Sequence, residues 1–201
     1  MLLPRRLTPR LPSPLARLLD WLLTIALAVA LVLVFQAEVA KPFRVPSASM
    51  EPTLHCAKPS RGCVADYSDR VIALPIVYRF RDPERGEIAV FHAPVRAASC
   101  GIGGEGSVFI KRVIGLPGER VSERDGVVFV DGRRLRDQYV PRAWRDHRTG
   151  SWSRLGPKQY FVMGDNRRSS CDSRQWGPVA RDRFIGPADV TYWPPSRIAV
   201  R

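Results

Sequence analysis

Histidine and lysine are scarce in this chain of 201 residues. It contains three histidines, and only four of its 32 basic residues are lysines, which leaves 28 arginines. Arginine is effectively never deprotonated in a protein, so few side chains are available as a general base near neutral pH. Each histidine and lysine can therefore be considered in turn.

Acidic residues are also few, because 19 aspartates and glutamates stand against the 32 basic residues and give a formal net charge of +13. A charge of that sign raises nucleic acid as a partner. The arginines are scattered, however, and neither a recognition helix nor a strand pattern with interleaved aromatic side chains accompanies them. We therefore expect no nucleic-acid partner. A basic surface that favours anionic lipid headgroups is the better interpretation.

The sequence has a single long apolar run, at residues 18–37, interrupted only by Asp20, Thr24 and Gln36. About 20 residues is the length that a helix needs to cross a bilayer, so we predict a transmembrane helix. A cleaved secretory signal is the alternative. Its apolar core is roughly 7 to 15 residues long, and Glu38 would occupy a position before the cut that normally holds a small residue.

The residues before this helix are predicted to lie in the cytosol. Four arginines and no acidic residue precede Leu18, and this bias orients the amino end inwards by the positive-inside rule. Four prolines among the first 14 residues disfavour regular structure, so we predict an irregular basic tail at residues 1–17. Residues 41–201 then form an extracytoplasmic domain of ordinary size.

Short segments bounded by turn residues follow the predicted helix. Residues 120–135 alternate β-branched and polar side chains around two Asp-Gly pairs, which is a strong hairpin signal. No long period of 3.6 residues occurs after residue 40. We therefore predict a mainly β domain with strands coiled into a small sandwich or barrel. The other predicted strands lie at 87–94, 107–118, 159–165 and 186–194.

The segment RVPSASMEPTL, residues 44–54, places two serines two residues apart just beyond the predicted membrane helix. A hydroxyl is a poor nucleophile until a nearby base takes its proton, and histidine is the usual base. His55 follows the serines too closely, His92 alternates within a strand, and His147 lies in an arginine-rich loop. None has a recognisable acidic partner, so we interpret all three as surface or structural residues.

Lysine is the other base known for serine, and Lys111 lies beside an arginine in the apolar strand VFIKRVIG. A lysine here, in a chain that otherwise uses arginine, indicates a position where a guanidinium will not serve. Burial can lower the pKa of a lysine to about 5 to 6, which makes the neutral amine available as a base. Taken alone, chance placement of this lysine stays open.

Four segments follow the predicted membrane helix in order: VPSASMEPTL (45–54), RGEIAVF (85–91), FIKRVIGLPGE (109–119) and MGDNRRSSCDSRQWGPV (163–179). Together they resemble the sequence boxes of the bacterial type I signal peptidases. The resemblance implies a coiled β-sheet catalytic domain, behind one membrane anchor, that cleaves signal peptides from exported preproteins at the outer face of the bacterial cytoplasmic membrane. The stretch from Lys111 to Gly164 is too short for the large second β domain that some members insert there.

The resemblance implies a role for each matching residue. Ser49 matches the nucleophile and Lys111 the general base. The hydroxyl of Ser47, with the backbone N–H of Ser49, matches the oxyanion hole of some members, and Ser170 matches a hydroxyl that hydrogen-bonds the lysine amine. The remaining matches are Asp165, Asn166, Asp172 and Arg174 in a supporting loop, where acid and arginine are expected to pair, and Val45, Met50, Leu54, Phe109 and Ile110 in shallow apolar pockets.

Other interpretations of these segments stay open. Taken alone, GDNRRSSCDSR could be an ordinary turn-rich loop. A self-cleaving Ser/Lys repressor protease would share the dyad, but it would be cytosolic and carry a helical DNA-binding domain in place of residues 18–37. A membrane-tethered binding protein without chemistry would not need serine, lysine and a supporting loop in matching boxes.

The partners implied by the resemblance are the signal peptides of secreted preproteins and the lipids of the cytoplasmic membrane. The peptide is expected to bind as an extended strand, with small residues at the first and third positions before the cut. No metal and no cofactor are expected.

Four cysteines allow three pairings, and Cys56 and Cys63 close the short loop CAKPSRGC. We therefore predict a disulfide between them in an oxidising compartment, with a second between Cys100 and Cys171. A zinc site is the alternative, but the usual spacings of cysteine and histidine ligands are missing.

Overall fold

The computed structural model describes residues 14–100 and 106–200. The chain divides into two compact units, and the boundary falls between Glu38 and Val39. The irregular tail predicted for residues 1–17 lies mostly outside the described residues. Its last four residues belong to a helix instead.

Helix α1 (Pro14–Glu38) makes up the described part of the first unit. The most apolar window of 18 residues within Ala16–Gln36 has a mean hydropathy of 2.6, and none of that window is buried within the molecule. A helix of this length extends about 30 Å, the thickness of the hydrocarbon core of a bilayer. It is a candidate membrane span. The helix begins before the predicted start at Leu18 because proline is well tolerated in a first helical turn, where its missing N–H needs no partner.

The second unit is mainly β, as the sequence predicts, and its strands belong to three antiparallel sheets. Their orders are β1-β2-β12-β13, β10-β9-β4-β3-β11 and β7-β6-β5-β8. Two short helices accompany them: α2 (Val77–Phe80) lies between β2 and β3, and α3 (Ser173–Trp176) lies between β9 and β10. The strands are β1 (Lys41–Arg44), β2 (Arg70–Ala73), β3 (Ile88–His92), β4 (Val108–Gly115), β5 (Val121–Arg124), β6 (Val127–Val130), β7 (Arg133–Arg134), β8 (Gly150–Ser151), β9 (Gln159–Met163), β10 (Val179–Ala180), β11 (Phe184–Pro187), β12 (Val190–Trp193) and β13 (Ala199–Val200).

Both Asp-Gly pairs form the predicted hairpin turns. Asp125 and Gly126 have φ values of 46° and 72°, and Asp131 and Gly132 have φ values of 46° and 77°. Positive φ at both central residues is the signature of a type I′ turn, whose twist matches that of the flanking strands. The first turn joins β5 to β6 and the second joins β6 to β7.

Strand β4 lies in the middle of the five-stranded sheet, where it pairs with β3 on one side and β9 on the other. All its residues from Ile110 to Gly115 are buried. In this register Lys111 lies opposite Ala89 and Arg112 opposite Met163. A lysine and an arginine are thus held on adjacent positions of a rigid, buried strand.

The serine-bearing segment before β2 is fixed by its apolar side chains rather than by regular structure. Val45, Met50 and Leu54 are buried in one core cluster with residues of β2, β3 and β4. The only regular element here is the short 3₁₀ turn Ala48–Met50. Burial on both sides of Ser49 therefore holds this turn against β4.

Two disulfides join the four cysteines in the predicted pairs. Cys56 bonds to Cys63, and Cys100 bonds to Cys171. The Cys56–Cys63 disulfide closes a short loop that directly follows the serine segment in sequence. The second links the 3₁₀ turn Val95–Cys100 to the loop that precedes α3.

Candidate active site

Ser49 and Lys111, which are 62 positions apart, meet in the second unit. The Lys111 Nζ donates a hydrogen bond of 2.6 Å to the Ser49 Oγ. The Ser47 Oγ lies 3.3 Å from the same oxygen. Ser49 itself is 8% exposed, so its hydroxyl lies at the edge of the core and not free in solvent. The structure thus brings together a hydroxyl, an amine and a second hydroxyl.

The surroundings of Lys111 favour the neutral amine. The residue is 2% exposed, and its Nζ donates a second hydrogen bond of 3.2 Å to the Ile110 carbonyl. Burial lowers the pKa of Lys111 to about 8, against the carboxylates of Asp172 and Asp165, which favour the charged form. The Arg174 guanidinium adds to the lowering. At pH above about 8 this amine is therefore mostly unprotonated.

The histidines make other contacts. His55 Nδ1 bonds to the buried carboxylate of Glu51. His147 is an exposed residue that pairs with Asp125 across 2.7 Å, and His92 is exposed at the end of β3. The described hydrogen bonds of the Ser49 hydroxyl go to lysine and serine instead. The expectation that no histidine has an acidic partner is therefore wrong, because His55 pairs with Glu51 and His147 with Asp125. Neither histidine bonds to the Ser49 hydroxyl, which is consistent with a structural or surface role.

The loop after β9 docks directly on the backbone of the serine turn. Asn166 donates from its Nδ2 to the Ala48 carbonyl at 3.0 Å and from its backbone N to the Ser49 carbonyl at 3.1 Å. Gly164 lies so close that a Cβ there would overlap the Ser49 carbonyl oxygen and the Ser170 Oγ. The sequence argument did not single out Gly164, and only this close approach shows why a side chain is excluded.

Ser170 is buried beside this glycine, but its contacts differ from the expected ones. Its Oγ makes no hydrogen bond of full geometry among the described residues, although it lies close enough to Asp172 to help lower the pKa of that carboxyl. The two hydrogen bonds of the Lys111 amine go to Ser49 and Ile110. The expected hydrogen bond between Ser170 and the amine is therefore absent from this arrangement, and its orienting role stays a prediction.

Asp172 and Arg174 form the acid–arginine pair that the resemblance implies. Arg174 donates from Nε to Asp172 Oδ1 at 2.8 Å and from Nη2 to Oδ2 at 2.9 Å. Burial opposes ionisation of Asp172, but the guanidinium outweighs it and lowers the pKa of the carboxyl. The same carboxylate accepts the Gly164 N–H at 3.0 Å and forms a capping box with Gln175 at the start of α3. One carboxylate thus holds both ends of the loop.

A second ion pair joins Arg112 to Asp165. The sequence argument named Asp165 but not its arginine partner. The Arg112 Nε and Nη2 donate to the two carboxylate oxygens at 2.9 and 2.6 Å. Thr53 adds a hydrogen bond of 2.6 Å to the same carboxylate, and the Tyr139 ring lies 3.8 Å from the guanidinium. The Lys-Arg dipeptide of β4 could have indicated this arginine. Consecutive side chains of a strand point to opposite faces, so a buried Lys111 leaves Arg112 on the other face, where it needs its own acidic partner.

A partly open cavity of about 350 Å³ lies over the dyad, between the serine segment and the start of β4. Four of the five predicted pocket residues line it. Leu54 does not, because it is completely buried in the core. Pro46, Ser107 and Val108 line the cavity although the sequence argument did not name them. The predicted residues in its wall are Val45, Met50, Phe109 and Ile110.

The chain is similar to known proteins over most of its length. The chain is 39% identical over 184 residues to the probable signal peptidase I-2 of Synechocystis sp., covering 88% of this chain and 74% of that protein. It is 38% identical over 190 residues to the signal peptidase I of Leptolyngbya laminosa, covering 94% and 85%. A solved structure of a signal peptidase I from Enterococcus faecalis is 27% identical, with a TM-score of 0.44 over 53% of this chain and 97% of that chain.

The family assignment rests on the sequence matches rather than on that superposition. The model of the family described as "Signal peptidase, peptidase S26" matches residues 18–193. The match runs from the apolar helix past the serine turn, the lysine strand and the supporting loop. The chain belongs to the signal peptidase family, peptidase S26.

Proposed function

We propose that this chain is a membrane-bound signal peptidase I in which Ser49 attacks the scissile peptide bond and Lys111 is the general base. Membership of the family makes the chain a serine peptidase that cleaves signal peptides. The residue roles rest on one observation, the 2.6 Å hydrogen bond between a buried lysine amine and the Ser49 hydroxyl.

The proposed reaction begins when the neutral Lys111 amine takes the Ser49 proton. The Oγ then attacks the carbonyl carbon and forms a tetrahedral intermediate. The lysine ammonium next gives its proton to the leaving amine, so the peptide bond breaks and an ester to Ser49 remains. Water hydrolyses this ester as Lys111 again takes a proton and returns it to the Ser49 oxygen. The same amine is base and acid in turn.

The negative charge of the intermediate needs donors that are already in place. The Ser47 hydroxyl lies beside the nucleophile, and the Ser49 N–H belongs to a turn held by burial and by Asn166. We assign both groups to the oxyanion hole. Such donors act on charge that develops only in the transition state, and removal of one typically lowers kcat by about 10²- to 10³-fold.

The remaining loop residues position these groups. Asp172 and Arg174 hold the loop at α3, and Asp165 anchors it to β4 through Arg112. Asn166 connects the loop to the serine turn. We assign them a supporting role and leave the proton transfers to the dyad.

The cavity supports the binding of an extended peptide between the serine segment and β4. Its walls are largely apolar, and Ser49 and Lys111 are among the residues that line it. Alternate side chains of an extended peptide point to the same side, so the first and third residues before the cut would both face the walls. A shallow apolar pocket excludes large side chains by steric overlap. We therefore propose cleavage after a small-x-small sequence.

We further propose that the chain lies in the cytoplasmic membrane of a bacterium, with its amino end in the cytosol and residues 41–201 outside. The single candidate span among the described residues and the four arginines before Leu18 support this orientation. A repressor-type protease would not carry such a span, and a binding protein without chemistry would not need a buried amine on a serine hydroxyl.

Replacement of Lys111 by arginine should abolish cleavage. The variant keeps a positive charge, but its guanidinium cannot release a proton at working pH. We expect Lys111→Arg and Ser49→Ala each to lose at least about 10³-fold in single-turnover cleavage of a preprotein. Lys58→Arg makes the same change at an exposed site and should retain activity. Substantial cleavage by a folded Lys111→Arg enzyme would exclude lysine as the base.

The pH dependence of kcat/KM should report the buried amine. Below its lowered pKa of about 8 the amine is protonated and cannot act as a base. Activity should therefore fall about tenfold per pH unit below pH 8 and level off above it. The measurement is kcat/KM from pH 5.5 to 10 on a peptide without titratable groups near the cut. A midpoint at about 6.5 would indicate histidine instead.

Large residues should be excluded at two substrate positions and tolerated between them. A tryptophan in place of the alanine before the cut, or at the third position before it, should stop cleavage of a model preprotein. A tryptophan at the second position before the cut should have little effect, because its side chain points away from the cavity walls. Mass spectrometry of the products gives the cut site. Equal cleavage of all three variants would contradict the proposed pocket.

The proposed orientation can be tested in intact spheroplasts that produce the full chain. Protease added outside should digest the domain at residues 41–201, detected by an epitope at the carboxyl end. A cytosolic marker protein should survive in the same sample. Survival of the epitope, with digestion only after lysis, would show the opposite orientation.

A further inference from the structure

Glu123, on β5, is a buried acidic residue that the proposed mechanism does not use. It is 1% exposed, and neither of its carboxylate oxygens has a hydrogen-bond partner among the described residues. The nearest cation is Arg174, whose Nη1 lies 3.7 Å from Oε1. Buried carboxyl groups are normally paired or hydrogen-bonded, because an unpaired one costs free energy. This exception therefore calls for a physical reason.

The guanidinium that faces Glu123 is the one that holds the catalytic loop. Its Nε and Nη2 bond to Asp172, and Nη2 also bonds to the Arg167 carbonyl at 2.9 Å. Its Nη1 donates to Asp146 at 2.7 Å and lies 3.7 Å from the Glu123 Oε1. Three carboxyl groups from three parts of the fold thus surround one guanidinium.

Both charges of the Asp172–Arg174 pair act on the catalytic amine. The Asp172 carboxylate favours the ammonium form of Lys111, and the Arg174 guanidinium disfavours it. A further negative charge next to Arg174 offsets the field of the guanidinium. The amine then holds its proton more tightly and becomes a stronger base.

We propose that Glu123 is a positioning residue of the reaction, whose charge acts on the Lys111 amine through Arg174. The inference rests on the proposed role of Lys111 as the base. It gives the hairpin of β5 and β6 a part in catalysis although neither strand contacts the substrate cavity.

Glu123 can change its charge near neutral pH. Burial raises the pKa of its carboxyl to about 7, against the favourable charge of Arg174. The paired residues of β6 and β8, Val128 and Gly150, bring no charge. The charged groups that face it from the other elements are Arg174, Asp146, Arg167 and Asp172.

This raised pKa makes the ionised carboxylate a cost to folding. The native state holds the proton more tightly than the unfolded chain, so the contribution of Glu123 to stability is greatest below its ordinary pKa of 4.5. That contribution falls as pH rises to about 7 and is then constant. At the pH where Lys111 is neutral, the protein therefore carries a destabilising charge beside its loop arginine.

The test is Glu123→Gln in the full chain, which keeps the shape of the side chain and removes its charge. The kcat/KM of the variant should rise with pH, with a midpoint a few tenths of a pH unit below that of the wild type. The reason is that no carboxylate at position 123 then offsets the positive charge of Arg174. Its thermal unfolding midpoint should exceed that of the wild type at pH 8.5 and match it at pH 4.5. Glu123→Asp keeps the negative charge. Its kinetic midpoint and its thermal unfolding midpoint should therefore stay close to those of the wild type.

Glu84→Gln is the matched control, because Glu84 pairs with Arg81 rather than with Arg174. It removes the same charge and should leave the kinetic midpoint unchanged. A Glu123→Gln midpoint equal to that of the wild type, with higher stability, would make Glu123 merely structural and overturn the inference. Loss of folding in Glu123→Gln would overturn it as well. A wild-type profile without the rise near pH 8 would contradict the role of Lys111 itself and remove both proposals.

Discussion

The removal of the Lys111 amine from water is the interaction on which the site depends. An amine in solvent would stay charged at neutral pH and could not take a proton from serine. The strand that carries it is buried from Ile110 to Gly115, and its Nζ lies 2.6 Å from the Ser49 Oγ. In the proposed reaction the apolar core is thus part of the chemistry, since it lowers the pKa of the Lys111 amine and fixes its distance to the Ser49 Oγ.

Burial of a base demands that nearby charges be balanced, and two arginine–aspartate pairs do this. Arg112 with Asp165 joins the loop to β4, and Arg174 with Asp172 joins it to α3. Removal of one partner of a buried pair costs roughly 3 to 5 kcal/mol, because the other charge is left uncompensated. The two pairs therefore stabilise the observed position of the loop. That position places Gly164 and Asn166 against the serine turn.

The same arrangement separates the interpretations that the sequence left open. A turn-rich loop without function would not need a glycine packed so tightly on the Ser49 backbone that a Cβ would overlap it. It would not need a carboxylate that binds both ends of the loop either. The dyad alone does not distinguish a signal peptidase from a repressor-type protease. The apolar helix α1 and the match of the family model do, because both include the segment before the serine turn.

The sequence by itself determined the elements whose causes are local. The apolar run predicted a helix, and the two Asp-Gly pairs predicted hairpins, because Asp and Gly tolerate positive φ. Ser49 and Lys111 could be named from the order of the four boxes. Tertiary structure alone decided the contacts that depend on distant segments, such as Arg112 on Asp165 and Glu123 facing Arg174. It also placed Leu54 in the core and left Ser170 without the expected bond, because burial and distance depend on how strands far apart in sequence pack together.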